Sequence, residues 1–324
     1  VSAAPPARDV GSDARGFVSL PDGGRIAFEV SGDAQAGPPV LLVRPLAGAM
    51  AMWGTFRDAL AEEFRVIAYD LRGVGASSDA PLDVSTRAMA ADALAVLDEL
   101  HVARAHVFGI SLGAMVATWL AVDAPSRVER LCLASTGPVG FTLSVSGLVQ
   151  GAGLAVSLLA PGDDVVRRLT GALIPDEVRA EEPERVASLD AAASEEPARR
   201  VELVKHVLAA GRHDARDALS GITAPTLVLV GARDTLVGVE PARSLCEAIS
   251  GARLEVLDDV GHALTLEQPQ ETAARVVAFF SIGRSVPGLG PPSCARRRRG
   301  AGGGEVRGVR TPGVHGARPR TTRR

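Results

Sequence analysis

Residues 105–121 read Ala105-His106-Val107-Phe108-Gly109-Ile110-Ser111-Leu112-Gly113-Ala114-Met115-Val116-Ala117-Thr118-Trp119-Leu120-Ala121. Ala105–Phe108 predicts a buried strand and Ala114–Ala121 a helix, with Gly109-Ile110-Ser111-Leu112-Gly113 turning sharply between them. So tight a turn needs small neighbours, because a side chain at 109 or 113 would collide with adjacent backbone. It lifts the Ser111 hydroxyl to the mouth of the sheet and aims the free N–H groups of the helix N-terminus at a reacting oxygen. That is the placement of a nucleophile. The five-residue pattern alone is weak in a chain with 35 glycines, and the strand before it and the helix after it supply the weight. The bland alternative is an ordinary strand–loop–helix connection.

A nucleophilic serine needs a base, and the base needs a group to hold its tautomer. Histidines stand at 101, 106, 206, 213, 262 and 315. His106 lies inside the strand leading to Ser111 and His101 at the opposite edge of the sheet. His206 and His213 fall in a helical stretch, where packing or surface exposure is the simpler role, and His315 is in a tail unlike the rest of the chain. His262 remains. It follows the strand Leu254-Glu255-Val256-Leu257, with Gly261 before it to free the loop. Pro225-Thr226-Leu227-Val228-Leu229-Val230 predicts another strand, and Gly231-Ala232-Arg233-Asp234 follows directly. Asp234 is therefore the orienting acid. The plain readings are a turn aspartate and a loop histidine, but three such residues in the order Ser111, Asp234, His262, each after a strand, are far more specific than any one.

On these residues the chain resembles the α/β-hydrolase family from about Phe17 to Phe280. Tyr69-Asp70-Leu71-Arg72-Gly73-Val74-Gly75-Ala76-Ser77 is similar to the family's Asp-x-Arg-Gly-x-Gly-x-Ser loop after the fourth strand. Ala124-Pro125-Ser126-Arg127-Val128 resembles the loop closing the nucleophile helix, and Glu267-Gln268-Pro269 the segment after the catalytic histidine. The resemblance implies hydrolytic chemistry.

One stretch departs from the family pattern. Many members carry His-Gly after the third strand, where this chain has Val40-Leu41-Leu42-Val43-Arg44-Pro45-Leu46-Ala47-Gly48. Pro45 has no N–H to donate. The resemblance aligns Leu46 with the family's donor, so the amides of Leu46 and Leu112 are the expected oxyanion hole. Lactonase-like members, including 3-oxoadipate enol-lactonases, also lack the His-Gly pair. Arg44 has two readings, recognition of a substrate carboxylate or a structural ion pair.

Read for organisation, the chain alternates. Phe17–Leu20 and Arg25–Val30 predict a hairpin through Pro21-Asp22-Gly23-Gly24. Strands follow at Val40–Val43, Arg65–Tyr69, Ala105–Phe108, Arg130–Ala134, Thr226–Val230 and Arg253–Leu257, with helices near 53–63, 86–100, 112–123 and 269–280. The expectation is an α/β-hydrolase fold, a mostly parallel eight-stranded sheet with helices on both faces. Residues 16–136 and 222–282 form its core.

Residues 137–221 predict an inserted helical cap, with helices near 144–159, 163–173, 183–194 and 197–211. Leu131–Gly162 contains no charged residue, which raises a membrane span. Glycines, Pro138 and polar residues interrupt it, however, and its start is the sixth strand. An apolar cap helix is the preferred account, with Phe141, Leu148, Leu154 and Leu158 as acyl-pocket candidates and plain packing as the alternative.

The ends differ from the middle. Residues 1–15 are small and polar, without the basic start and apolar run of a signal peptide, and predict a disordered segment. Eleven arginines and one glutamate give residues 283–324 a net charge of +10, so with −3 overall the remainder carries −13. That tail has too few apolar residues to fold. It lacks the aromatics that stack bases, so nucleic acid is not the expected partner. Cys132, Cys246 and Cys294 suit neither a metal site nor a disulfide framework, and a reducing cytoplasm fits.

The expected function is hydrolysis of a small-molecule ester or lactone through an acyl-enzyme, with no metal or organic cofactor and no membrane partner. A carbon–carbon hydrolase of ring-cleavage products would use the same triad, whereas dehalogenases and epoxide hydrolases use an aspartate nucleophile. A non-catalytic ligand-binding homologue would not need a general base. Substrate identity and the choice between monomer and homodimer stay open.

Overall fold

The computed structural model describes residues 14–32, 37–46, 50–140, 180, 183–184, 186–187 and 199–282. Its strands are β1 (Arg15–Ser19), β2 (Arg25–Ser31), β3 (Val40–Val43), β4 (Val66–Tyr69), β5 (Ala105–Ile110), β6 (Val128–Ala134), β7 (Thr226–Gly231) and β8 (Arg253–Leu257). Between and after them come helices α1 (Gly54–Ala61), α2 (Thr86–Glu99), α3 (Leu112–Asp123), α4 (Arg200–Gly211), α5 (Val239–Ala248), α6 (Leu264–Glu267) and α7 (Pro269–Phe280). The strands form one eight-stranded sheet in the order β1-β2-β4-β3-β5-β6-β7-β8. β1 and β2 pair antiparallel through the expected hairpin, β2 pairs antiparallel with β4, and every later pairing is parallel.

Alternation along each strand builds two cores, one on each face of the sheet. Leu41 and Val43 of β3 join Val107, Val228 and Val230 in one core, where α2 adds Met89, Val96 and Leu97, α3 adds Val116 and Leu120, and α5 adds Leu245. Val40 and Leu42 join Phe108, Ile110, Leu227 and Leu229 in the other, with Phe56 and Leu60 of α1 and Val276 and Phe280 of α7. Because both faces are covered, β3 is apolar at every position and fully buried.

Several boundaries move. β1 begins at Arg15, one residue inside the segment expected to be unstructured, because Arg15 pairs with Glu29 across the hairpin. β5 runs on through Gly109 and Ile110, which pair with Val43 of β3 and with Leu133 and Ala134 of β6. Ser111 is thus the only residue between β5 and α3. Helix α5 was not anticipated. Of the helices expected in 137–221, the last is α4, and residues 183–184 and 186–187 of the third are helical. The stretches 144–159 and 163–173 lie outside the described residues, as do Phe141, Leu148, Leu154, Leu158, residues 1–13 and the tail from 283. Among the described residues no helix is long and apolar enough to cross a membrane.

Candidate active site

Parallel strands deliver their loops to the same edge of a sheet, and the candidate residues lie on four such loops, after β3, β5, β7 and β8. Ser111 has φ 55° and ψ −121°, a conformation that an L-residue adopts only under constraint. The constraint is visible. Its N–H donates to Ala134 O at 2.9 Å on one side, and its carbonyl accepts from Ala114 and Met115 at 3.0 and 3.2 Å on the other. A Cβ at position 109 would sit 2.5 Å from Gly113 O, and one at position 113 would sit 2.1 Å from Val43 O and 2.4 Å from Arg44 O. The small flanking residues are therefore required by backbone contact, as the sequence indicated.

The contact at Gly113 also presses the start of α3 against the exit of β3, the segment that continues to Leu46. The Leu112 amide is the first of α3 and has no acceptor within its own helix. Leu112 is buried and Leu46 half-buried.

His262 Nε2 lies 3.0 Å from Ser111 Oγ, and His262 Nδ1 lies 2.9 Å from Asp234 Oδ2. Asp234 also accepts from the amides of Leu236 and Val237, both at 2.9 Å on Oδ1. Burial alone would raise its pKa, but the imidazole and the two amides outweigh burial and hold the carboxyl below its ordinary value. An ionised Asp234 only accepts, so Nδ1 carries the proton and Nε2 is left to accept from the serine hydroxyl. This arrangement can take a proton from Ser111 and stabilise the imidazolium that results.

The two loops that carry the acid and the histidine touch through their backbones. Ala232 and Arg233 donate to Leu257 O and Val260 O at 2.8 and 2.9 Å. A Cβ at Gly231 would lie 2.2 Å from Val260 O and 2.3 Å from Gly261 O. The loop of His262 has two further partners that the sequence did not announce. Glu267 accepts from Gly261 N at 2.8 Å and Ala263 N at 3.0 Å, and Ser135 Oγ donates to His262 O at 2.8 Å.

Arg44 also follows β3, on one of the four loops. Arg44 is 1% exposed, and its Nη1 lies 3.1 Å from Asp70 Oδ1. His106 stacks on Phe280 with ring centroids 4.7 Å apart. His206 Nε2 donates to Arg72 O at 2.7 Å, and His213 Nδ1 is 2.9 Å from Thr86 Oγ1. Burial pushes both His206 and His213 down to a pKa of about 4. His101 lies in an exposed turn after α2.

The model of the alpha/beta hydrolase family matches residues 40–275, which span β3 to α7 and all four loops. The chain belongs to the alpha/beta hydrolase family. Among its relatives in that family is 3-oxoadipate enol-lactonase 2 of Acinetobacter baylyi, 30% identical over 250 residues, covering 76% of this chain and 90% of that one. A putative carbamate hydrolase RutD of Agrobacterium fabrum is 28% identical over 263 residues, covering 78% and 97%. A solved hydrolase from Pseudomonas aeruginosa PA01 superposes with a TM-score of 0.72 at 32% identity, over 82% of this chain and 98% of that one. Both family and relatives mark the chain as a hydrolase.

Proposed function

We propose that this hydrolase cleaves a small-molecule carboxylic ester or lactone by acyl transfer through Ser111. The observation that carries the reading is the position of His262, 3.0 Å from a serine held in a strained turn and 2.9 Å from a buried, ionised carboxylate. In this account Ser111 Oγ attacks the carbonyl carbon as its proton passes to His262 Nε2. Asp234 keeps the proton on Nδ1 and stabilises the charged ring. The amides of Leu46 and Leu112 receive the oxyanion, each worth about 3–4 kcal/mol in the transition state.

Collapse breaks the carbon–oxygen bond, and His262 returns its proton to the leaving alkoxide. Water then attacks the acyl-enzyme and gives a proton to His262, and Ser111 recovers a proton as the acid departs. Every proton in the cycle passes through His262. In a lactone the alkoxide stays tethered to the acyl group, so ring opening and release produce one hydroxy acid. Selection of the acyl group falls to residues 137–221 in this proposal.

The ester and lactone class is favoured by the named relative that is an enol-lactonase, and a carbamate is the second reading, favoured by the relative named a carbamate hydrolase. Both pass through the same tetrahedral adduct and differ in the leaving group. The test is turnover of p-nitrophenyl esters of rising chain length, of small lactones and of carbamates, by the wild type and Ser111→Ala. Ester or lactone turnover that is abolished in Ser111→Ala supports the proposal. Turnover of carbamates alone moves the substrate class, and inertness toward all three favours the carbon–carbon hydrolase or ligand-binding alternatives.

A further inference from the structure

The main chain at His262 is held by two side chains that take no part in the proton transfers above. Glu267 is 6% exposed. Its Oε2 accepts from the amide of Gly261 at 2.8 Å and its Oε1 from the amide of Ala263 at 3.0 Å. These two amides flank His262. The carbonyl of His262 itself accepts from Ser135 Oγ at 2.8 Å. Ser135 stands just past the end of β6 with φ 49°, is fully buried, and its amide donates to Leu229 O of β7 at 2.9 Å. The three bonds join the peptide units around His262 to the end of α6 on one side and to the end of β6 on the other.

We propose that Glu267, together with Ser135, is a positioning residue for His262, fixing the peptide from which the imidazole reaches Ser111 and Asp234. The inference rests on the proposed role of His262 as the base. A base must keep its ring nitrogen within hydrogen-bond reach of the nucleophile, and that reach depends on backbone placement as much as on rotamer. Loops do not hold such placement unaided. Here the two amides meet different oxygens, Oε2 and Oε1, so both ends of the group must accept, which a carboxylate does and a carboxamide does not.

Glutamine has the same shape but one acceptor. Its NH2 would face either Gly261 N–H or Ala263 N–H, two donors with nothing between them. Aspartate keeps both oxygens but is one methylene shorter. The simpler alternative is that Glu267 only caps the short helix α6, since Ala263 precedes that helix and a side chain late in its first turn reaches back to it. Capping explains the bond to Ala263, but not those to Gly261 and from Ser135.

The two accounts separate kinetically. Full-length Glu267→Gln, Ser135→Ala and the control Glu271→Gln would be assayed on p-nitrophenyl esters, with active sites counted by a fluorophosphonate and thermal unfolding followed in parallel. The control changes an exposed carboxylate paired with Arg275. If Glu267 positions the base, kcat per titrated site in Glu267→Gln falls by about 10- to 100-fold, KM changes little, and the fluorophosphonate reacts more slowly. Ser135→Ala gives a smaller loss of the same kind, and Glu271→Gln matches the wild type.

A lowered unfolding temperature with unchanged kcat per site in both Glu267→Gln and Ser135→Ala overturns the proposal. If Glu267→Gln does not accumulate as folded protein, unchanged kcat in Ser135→Ala is enough to overturn it. Failure of the underlying reading looks different, because wild-type protein would then neither react with the fluorophosphonate nor lose activity in Ser111→Ala.

Discussion

Arg44 and Asp70 meet as a fully buried ion pair, with side chains 2% and 0% exposed and Nη1 3.1 Å from Oδ1. They are 26 residues apart, the offset at which β3 and β4 run side by side, Val40 against Val66 and Leu42 against Ala68. The parallel register carries past the strand ends and sets the guanidinium beside the carboxylate. Asp70 Oδ1 also accepts from Met50 N at 3.0 Å. One carboxylate therefore holds both ends of residues 44–50, the segment that contains Leu46.

Breaking that pair on one side leaves a charge in a fully buried place. Arg44→Met and Asp70→Asn are each expected to cost about 3–5 kcal/mol of stability, while a double apolar replacement recovers much of it. Urea unfolding of the two single variants and the double checks this. Equal destabilisation of the double and the sum of the singles would contradict the pairing.

The strain at Ser111 predicts a difference between two variants at that position. Alanine keeps the Cβ in an unfavourable backbone region, whereas glycine enters it freely. Ser111→Gly should therefore unfold at a higher temperature than Ser111→Ala, by the equivalent of about 1–3 kcal/mol. Calorimetry on the pair decides it, and identical midpoints would mean that the turn stores no strain.

In the proposed mechanism Asp234, 2.9 Å from His262 Nδ1, fixes the tautomer of His262. Asp234→Asn keeps the shape but offers an amide NH2 or a neutral oxygen, and kcat should drop by about 10⁴-fold while the fold persists. Esterase assay with circular dichroism measures both. A loss below about tenfold would make Asp234 a structural turn residue rather than the partner of the base.

His206 and His213 predict how stability depends on pH. Both are neutral in the fold, with pKa values pushed down from 6.5 to about 4 by burial. Between pH 6.5 and 4 the unfolded chain binds protons that the folded chain refuses, so stability falls as pH falls through that window and levels off above it. Each histidine contributes roughly 3 kcal/mol at neutral pH, at about 1.4 kcal/mol per unit. Chemical denaturation from pH 4 to 8 should show the slope, and His206→Gln should reduce it by about half. A flat profile over that range would contradict the buried, neutral assignment.

The sheet was legible because its strands β3, β4, β5 and β7 are largely apolar runs of four to six residues separated by turn signals. The candidate triad was legible because each member follows one of those strands. Gly109 misled the reading of β5, since glycine ordinarily ends a strand, yet here its backbone pairs on both sides with Val43 and Leu133. Helix α5 escaped notice because Pro241 lies in its first turn and only Ala242 and Leu245 are buried.

The two readings of Arg44 could not be separated without the register that sets it beside Asp70. Glu267 stood in a recognised segment without a role, because its partners are backbone amides and amides leave no pattern in side-chain order. Ser135 was silent for the same reason, since its partner is a carbonyl.

The most direct test is to catch the acyl group on Ser111. Rapid mixing with a p-nitrophenyl ester, acid quenching and mass mapping of peptides would show whether a covalent adduct forms within the first turnover. The account predicts a burst of p-nitrophenolate approaching one per site, with the acyl mass on the peptide bearing Ser111 and neither signal in Ser111→Ala. Sustained turnover by Ser111→Ala, with no adduct at position 111 in the wild type, would contradict it.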